Sequence, residues 1–153
     1  MNIFVLDSDP QIAATMMCDK HVVKMVVETA QMLCTVASEK GYDMPYRPTH
    51  RNHPCTKWAS KSRGNWRWLI DHGMSLCGEY TKRYGRRHKS QSVIEMAKGM
   101  KLAFDSDELT SFAQAMPDKY RNECAVKAYR DYYMGEKAKM ATWKTQPPKW
   151  WKG

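Results

Sequence analysis

The sequence predicts a mostly α-helical fold: a compact single-domain helical bundle spanning residues 1–153, with room for one short N-terminal strand. Three observations carry that prediction. A chain of 153 residues can bury one core and is too short for two. Apolar residues recur at helical spacing through most of its length. Between those runs stand groups of helix-ending residues, as in Gly41, Pro45 and Pro48.

The opening Met1 to Asp7 is short and apolar and is the candidate strand. Asp9 can cap the first helix with its carboxylate, and Pro10, which has no N–H to satisfy, suits the first turn. A break near Cys18-Asp19, with Asp19 as a second N-cap, restarts a helix that runs to about Ser38. "YRPTHRNHPC", Tyr46 to Cys55, reads as a loop. From Thr56 onward, Trp58, Trp66, Trp68, Leu69, Leu76 and Tyr80 recur at broadly helical spacing. They predict one long or two short helices ending near Gly85, with Gly64 and Gly73 as weak points. Ser90 caps a short segment through Val93, Ile94 and Met96, and Asp105 or Ser106 caps another through Phe112 that Pro117 closes. The last strong helix is Asn122 to Thr142. From about residue 143 the tail is expected to be irregular, because the paired prolines of "KTQPPKWWKG" remove donors and fix extended geometry.

Charge narrows the function. With 25 Lys and Arg against 16 Asp and Glu, the formal net charge of +9 points to a polyanionic partner, nucleic acid ahead of an anionic membrane surface, and charge alone does not choose between them. No apolar run approaches the roughly 20 residues a membrane-spanning helix needs. The cysteines Cys18, Cys34, Cys55, Cys77 and Cys124 are odd in number and form no paired framework, which fits reduced thiols and a cytoplasmic location. No obligate protein partner is evident.

Three constellations could carry chemistry. His21, Lys24, Glu28 and Gln31 fall three or four residues apart and so share one face of a helix otherwise rich in valine and methionine. That stripe is either a solvated face with an ordinary Lys24–Glu28 pair or the wall of a pocket, where a carboxylate beside an amine and an imidazole is equipped for proton transfer. The second group, His50, Asn52, His53 and Cys55 with Cys18 and His21, contains ligand types that zinc accepts. Its spacing matches no zinc-finger pattern, so the reading is a hydrogen-bonded loop packed against the helix, with no metal and no cofactor. Third, Lys82, Arg83, Arg86, Arg87, His88 and Lys89 crowd a helix end beyond what its dipole requires, which suggests a phosphate-contacting patch. Trp143, Trp150 and Trp151 could stack on bases or lie on the core.

The run "DKHVVKMVVE", followed by "YRPTHRNHP" and "EYTKRYGRRHK", resembles the small pyrimidine-dimer DNA glycosylases of the endonuclease V type found in phages and some bacteria. Asp19, His21 and Glu28 reproduce that family's spacing of aspartate, histidine and essential glutamate, and Asn52-His53-Pro54 matches a loop motif of its bacterial members. The likeness covers about the first 90 residues. It implies a glycosylase with associated AP-lyase activity on damaged or modified pyrimidines. Such an enzyme flips its target, attacks C1′ with its N-terminal amine and forms a Schiff base, with Glu28 assisting sugar opening and β-elimination. An α-amine titrates at about 7.7 to 8.0, so a useful fraction is nucleophilic near neutral pH.

Two departures stand out. Family members usually expose a small second residue after methionine removal, whereas Asn2 retains its methionine and makes Met1 the expected nucleophile, with Lys24 or Lys20 as substitutes. Val27 and lysines stand where the family clusters arginines around its glutamate. Asn52, His53 and the cluster from Lys82 to Lys89 are the expected DNA contacts. Two other classes stay open: a non-enzymatic nucleic-acid-binding or host-interaction protein, and a metal-dependent nuclease or nucleotide-modifying enzyme using Cys18, His21, His50 and His53.

Overall fold

The structure is a computed structural model that describes residues 1–152. Its elements, in chain order, are α1 (Pro10–Met16), α2 (Asp19–Glu39), α3 (Pro54–Lys61), α4 (Arg63–Tyr84), α5 (Gln91–Lys98) and α6 (Ala125–Glu136), with a 3-10 turn at Asp118–Tyr120. The two long helices, α2 and α4, pack on each other and carry α1, α3 and α5 around them. Their apolar faces meet in one contiguous core that includes Met17, Val26, Leu33, Leu69, Leu76 and Ile94. No helix among the described residues is long and apolar enough to cross a membrane.

The expected N-terminal strand is absent among the described residues. Ile3, Phe4, Val5 and Leu6 are buried, but the chain bends instead of extending: Phe4 has φ 44° and its carbonyl accepts from Leu6 N. The segment is buried among side chains rather than paired with a neighbouring strand. Asp9 caps α1 by accepting from the amides of Gln11 and Ile12, and Pro10 takes the first helical position, as the sequence predicts. At the next junction the cap shifts by one residue. Cys18 is the N-cap of α2 and makes no side-chain capping bond, while Asp19 is already helical and spends its carboxylate elsewhere.

The tryptophan-rich stretch divides into α3 and α4 at Ser62, whose hydroxyl accepts from Asn65 N. Neither glycine breaks α4. They mark close approaches instead: a Cβ on Gly64 would lie 2.6 Å from the backbone carbonyl carbon of Glu108, and one on Gly73 would lie 2.8 Å from Thr29 Cγ2. The helix expected from Asp105 or Ser106 through Phe112 does not form. That backbone bonds outward, with Ser106 O accepting from Arg63 N and Thr110 N donating to Asn65 Oδ1, and Phe112 packs on Trp58 and Trp68. The last helix is shorter than Asn122 to Thr142, because Asn122 Oδ1 accepts from Cys124 N ahead of α6 and the chain leaves it after Glu136.

Arg83 joins these parts. Its fully buried guanidinium donates to Glu79 Oε1 (3.0 Å), Met17 O (2.7 Å), Asp19 Oδ1 (3.1 Å) and Thr15 O (3.1 Å). It thereby ties α4 to the α1–α2 junction. Asp19 extends the tie to the tail: its amide donates to Thr142 O and its carboxylate accepts from Lys144 N. The expected role of Arg83 as a DNA contact is therefore corrected, since its donors face inward. Removing one partner of a buried ion pair strands the others, at a cost of about 3–5 kcal/mol. Arg83→Met is expected to lower unfolding free energy by about that amount, measured by urea denaturation.

Candidate active site

Burial decides between the two readings of the α2 stripe. His21 is 5% exposed and Glu28 7%, whereas the Lys24 side chain is 72% exposed and Gln31 is half-buried. The stripe is thus the wall of a pocket with a lysine at its rim. The pocket holds about 160 Å³ and is lined by Met1, Asn2, Phe4, His21, Lys24, Met25, Glu28, Tyr132 and Lys137.

Glu28 organises it. Its Oε1 lies 3.3 Å from the Met1 α-amine and accepts from Asn2 N at 2.9 Å, while Oε2 lies 3.9 Å from Lys24 Nζ. The chain's own N-terminus supplies the partners that a buried carboxylate requires. Met1, Glu28, His21 and Lys24 are therefore brought together.

His21 is held from the α6 side. Its Nδ1 lies 2.5 Å from Tyr133 Oη, and its ring stacks on Phe4 with centroids 4.2 Å apart. Tyr133 Oη also accepts from Cys18 N and lies within reach of Cys18 Sγ and Met17 Sδ, so the hydroxyl joins the imidazole to the start of α2. Burial, followed by the positive charges of Lys137 and Lys24, lowers the His21 pKa to about 3, so this imidazole is neutral near pH 7.

The loop from His50 to Cys55 lies against the N-terminal segment and α2. Thr49 N donates to Thr35 Oγ1 of α2, and His53 caps α3 by accepting from Cys55 N at Nδ1. Burial first, then the N-terminal amine, lowers the His53 pKa, and Glu28 opposes them. Asn52 is exposed and outside the pocket lining. The mixed Cys and His group does not assemble: among the described residues, no three His, Cys, Asp or Glu side chains gather where they could hold a metal ion. Cys18 Sγ instead accepts from Tyr133 Oη at 3.5 Å, and burial pushes the Cys55 thiol up to about 12.

The basic cluster separates by role. His88 is buried, with Nε2 donating to Val23 O while Nδ1 accepts from Ser90 N, so it joins the loop after α4 to α2 and is not a surface contact. Lys82, Arg86, Arg87 and Lys89 stay exposed. Arg86, Arg87 and Lys89 line a cleft of about 460 Å³ with Tyr46 and Tyr80. Arg86 donates to Tyr80 Oη and Arg87 pairs with Glu95. The tail tryptophans lie on the core: Trp143 Nε1 donates to Met16 O, Trp150 approaches Met16 Sδ, and Trp151 packs edge-on to Trp143.

Sequence reasoning missed Asn2, Phe4, Tyr132, Tyr133 and Lys137. The α6 residues carried one signal, the aromatic run "YRDYY" followed by Lys137, which has the spacing of a helix face. Lys137 Nζ stands 5.1 Å from the Tyr132 ring centre and 5.9 Å from that of Phe4.

A family model described as pyrimidine dimer DNA glycosylase matches residues 1–92. No curated protein and no solved structure matches the chain. The matched span contains Met1, His21, Lys24, Glu28, His53 and the basic end of α4, whereas Tyr132, Tyr133 and Lys137 lie beyond it.

Buried neutral histidines set a pH dependence. His21 titrates near 6.5 when exposed and at about 3 when folded, and His72, buried against Pro10 O, at about 4. Between those limits the unfolded state binds more protons, so stability is fully present above pH 6.5 and declines as pH falls toward 3. Thermal unfolding from pH 7 to pH 4 is expected to fall less steeply in His21→Gln than in the wild type, and the His21 ring is expected to show no NMR titration step between pH 8 and pH 5.

Proposed function

Because the chain belongs to the pyrimidine dimer DNA glycosylase family, we propose that it excises damaged or modified pyrimidines from double-stranded DNA and cleaves the abasic site, with its Met1 α-amine as nucleophile. The observation that carries this reading is the Met1 amine 3.3 Å from the Glu28 carboxylate in a small, largely buried pocket. The pairing of a nucleophile with a base within reach is what amine catalysis needs.

Each group has its part in the reaction. Glu28 takes a proton from the ammonium, and the freed lone pair forms an N–C1′ bond. The electrons of the C1′–N glycosidic bond leave with the pyrimidine, which takes a proton from the newly bonded ammonium nitrogen. Opening of the sugar, with proton transfer from Glu28 to its ring oxygen, gives a protonated Schiff base. Loss of the C2′ proton to Glu28 and departure of the 3′ phosphate complete β-elimination, and water then releases the amine. The amine and Glu28 lie in a recess below the Lys24 rim, so the target nucleotide leaves the base stack to reach them. His21, neutral and held by Tyr133, serves as a hydrogen-bonding wall rather than a proton source. Lys24 and Lys137 give the rim a positive charge suited to the flanking phosphates. Lys24 is the weaker candidate nucleophile, because it is exposed on a long stem while the Met1 amine is held against Glu28.

Two measurements test this reading. Glu28→Gln keeps an acceptor for Asn2 N and removes the titratable group, so borohydride-trapped adduct on an abasic duplex is expected to form about 10²- to 10⁴-fold more slowly, with folding and duplex affinity kept. A variant that traps at the wild-type rate would contradict the assignment of Glu28. Sequence-independent binding is assigned to Lys82, Arg86, Arg87 and Lys89. Replacing Lys82, Arg86 and Lys89 by alanine is expected to flatten the dependence of log affinity on log salt by roughly one unit for each phosphate no longer neutralised.

A further inference from the structure

Asn2 is a polar residue only 7% exposed, and each of its hydrogen-bonding groups but its carbonyl has a partner. Its backbone N–H donates to Glu28 Oε1 at 2.9 Å. Its side-chain Oδ1 accepts from Ile3 N at 2.8 Å and Phe4 N at 3.2 Å, and its Nδ2 donates to Ala115 O at 2.8 Å. The side chain therefore grips the residues after it at one end and a distant loop at the other. Immediately downstream, Phe4 sits at φ 44°, a left-handed conformation that bulky residues rarely adopt and that persists only where surroundings hold it. It is held by the Asn2 Oδ1 bond to its amide, the Leu6 N bond to its carbonyl and the stacking of its ring on His21.

These bonds have a consequence one residue upstream. A chain terminus ordinarily frays unless it is tied down, and a terminal amine on a freely rotating residue meets its partner only part of the time. Here residue 2 is fixed at its amide, at both ends of its side chain and through the turn that follows, so Met1 has little freedom beyond its own torsions. The amine comes to rest against the same Glu28 oxygen that accepts Asn2 N.

We infer that Asn2 is a positioning residue for the Met1 amine: its Ala115 tether and its grip on the Ile3 and Phe4 amides aim the amine at Glu28 and the pocket. The inference rests on the amine-nucleophile reading and adds to it a residue that never touches substrate. It also gives the second position a reason to be asparagine. The side chain must be short enough to reach two amides of its own turn, carry an acceptor at one end and a donor at the other, and be large enough for the initiator methionine to be retained.

The test uses the full-length protein and Asn2→Leu, which is close in size, removes both side-chain functions and keeps Met1, as intact mass verifies. Two readouts are taken. In the first, borohydride trapping on a duplex with one abasic site is followed in single turnover, alongside affinity for a duplex carrying a reduced, unreactive abasic analogue. In the second, Met1 is reductively methylated with formaldehyde and cyanoborohydride in the DNA-free protein and compared with wild type. Misplacing a reacting group by about 1 Å costs about 10²-fold, so trapping is expected to slow about 10²-fold with affinity unchanged, while methylation of Met1 becomes faster. A folded Asn2→Leu that traps and methylates like wild type overturns the inference. Should Asn2→Leu fail to fold, Asn2→Gln, which is uncharged and keeps both functions but sets them one methylene farther from the backbone, is expected to show slower trapping and faster methylation, and unchanged rates overturn the inference. If wild type forms no adduct at all, the nucleophile reading fails, and the methylation comparison by itself decides whether Asn2 holds the amine.

Discussion

A carboxylate buried on an apolar helix is stable only if charge and donors come to meet it, and at Glu28 they come from the chain's own first two residues. Much of the architecture follows from that demand. To bring the terminus inward, the following residues, Ile3 to Leu6, have to be apolar and buried. To leave the amine beside the carboxylate, the chain has to bend at once, which it does at Phe4. The bend exposes no loose edge, because the Phe4 ring fills the space against His21, Tyr129 and Tyr133.

The support for this arrangement comes from the C-terminal third of the chain, outside the span matched by the family model. Tyr129 and Tyr133 stand one helical turn apart on α6 and point to two different parts of the site. Tyr133 meets His21 and Cys18 N. Tyr129 donates to Ala113 O and accepts from Ala115 N, and thereby fixes the loop whose Ala115 carbonyl holds Asn2. The path from Tyr129 to Ala115, Asn2 and Glu28 joins the last helix to the first buried charge. Arg83 is the second anchor: by binding Met17 O and Asp19 it sets the start of α2, and hence where His21 and Glu28 fall.

The helices were legible where their signals are local. Asp9-Pro10 opens α1, Gly85 closes α4 with a left-handed cap at φ 73°, and the tryptophan spacing marks α3 and α4. The polar stripe on α2 was also legible, but its meaning was not, because three- and four-residue spacing places His21, Lys24 and Glu28 on one face without saying what covers it. The larger errors share a cause: long-range contacts overriding local pattern. Residues 105–112 carry helix-start signals, yet their backbone bonds to Arg63 and Asn65. Arg83 sits within a basic run and is turned inward by two carboxylates and two carbonyls. Lys137 and the α6 tyrosines reach the pocket across more than a hundred residues of sequence, a distance over which no periodicity argument speaks.

The central claim is that the buried N-terminal amine is the reacting group. Its most direct test is to locate the covalent bond: reduce the complex of wild-type protein with a duplex containing one abasic site, digest it, and find the modified peptide by mass spectrometry. The account predicts the sugar-derived mass on the α-amine of the peptide that begins with Met1. A mass on the peptide carrying Lys24 or Lys137, or no modified peptide on any damaged duplex, would contradict it.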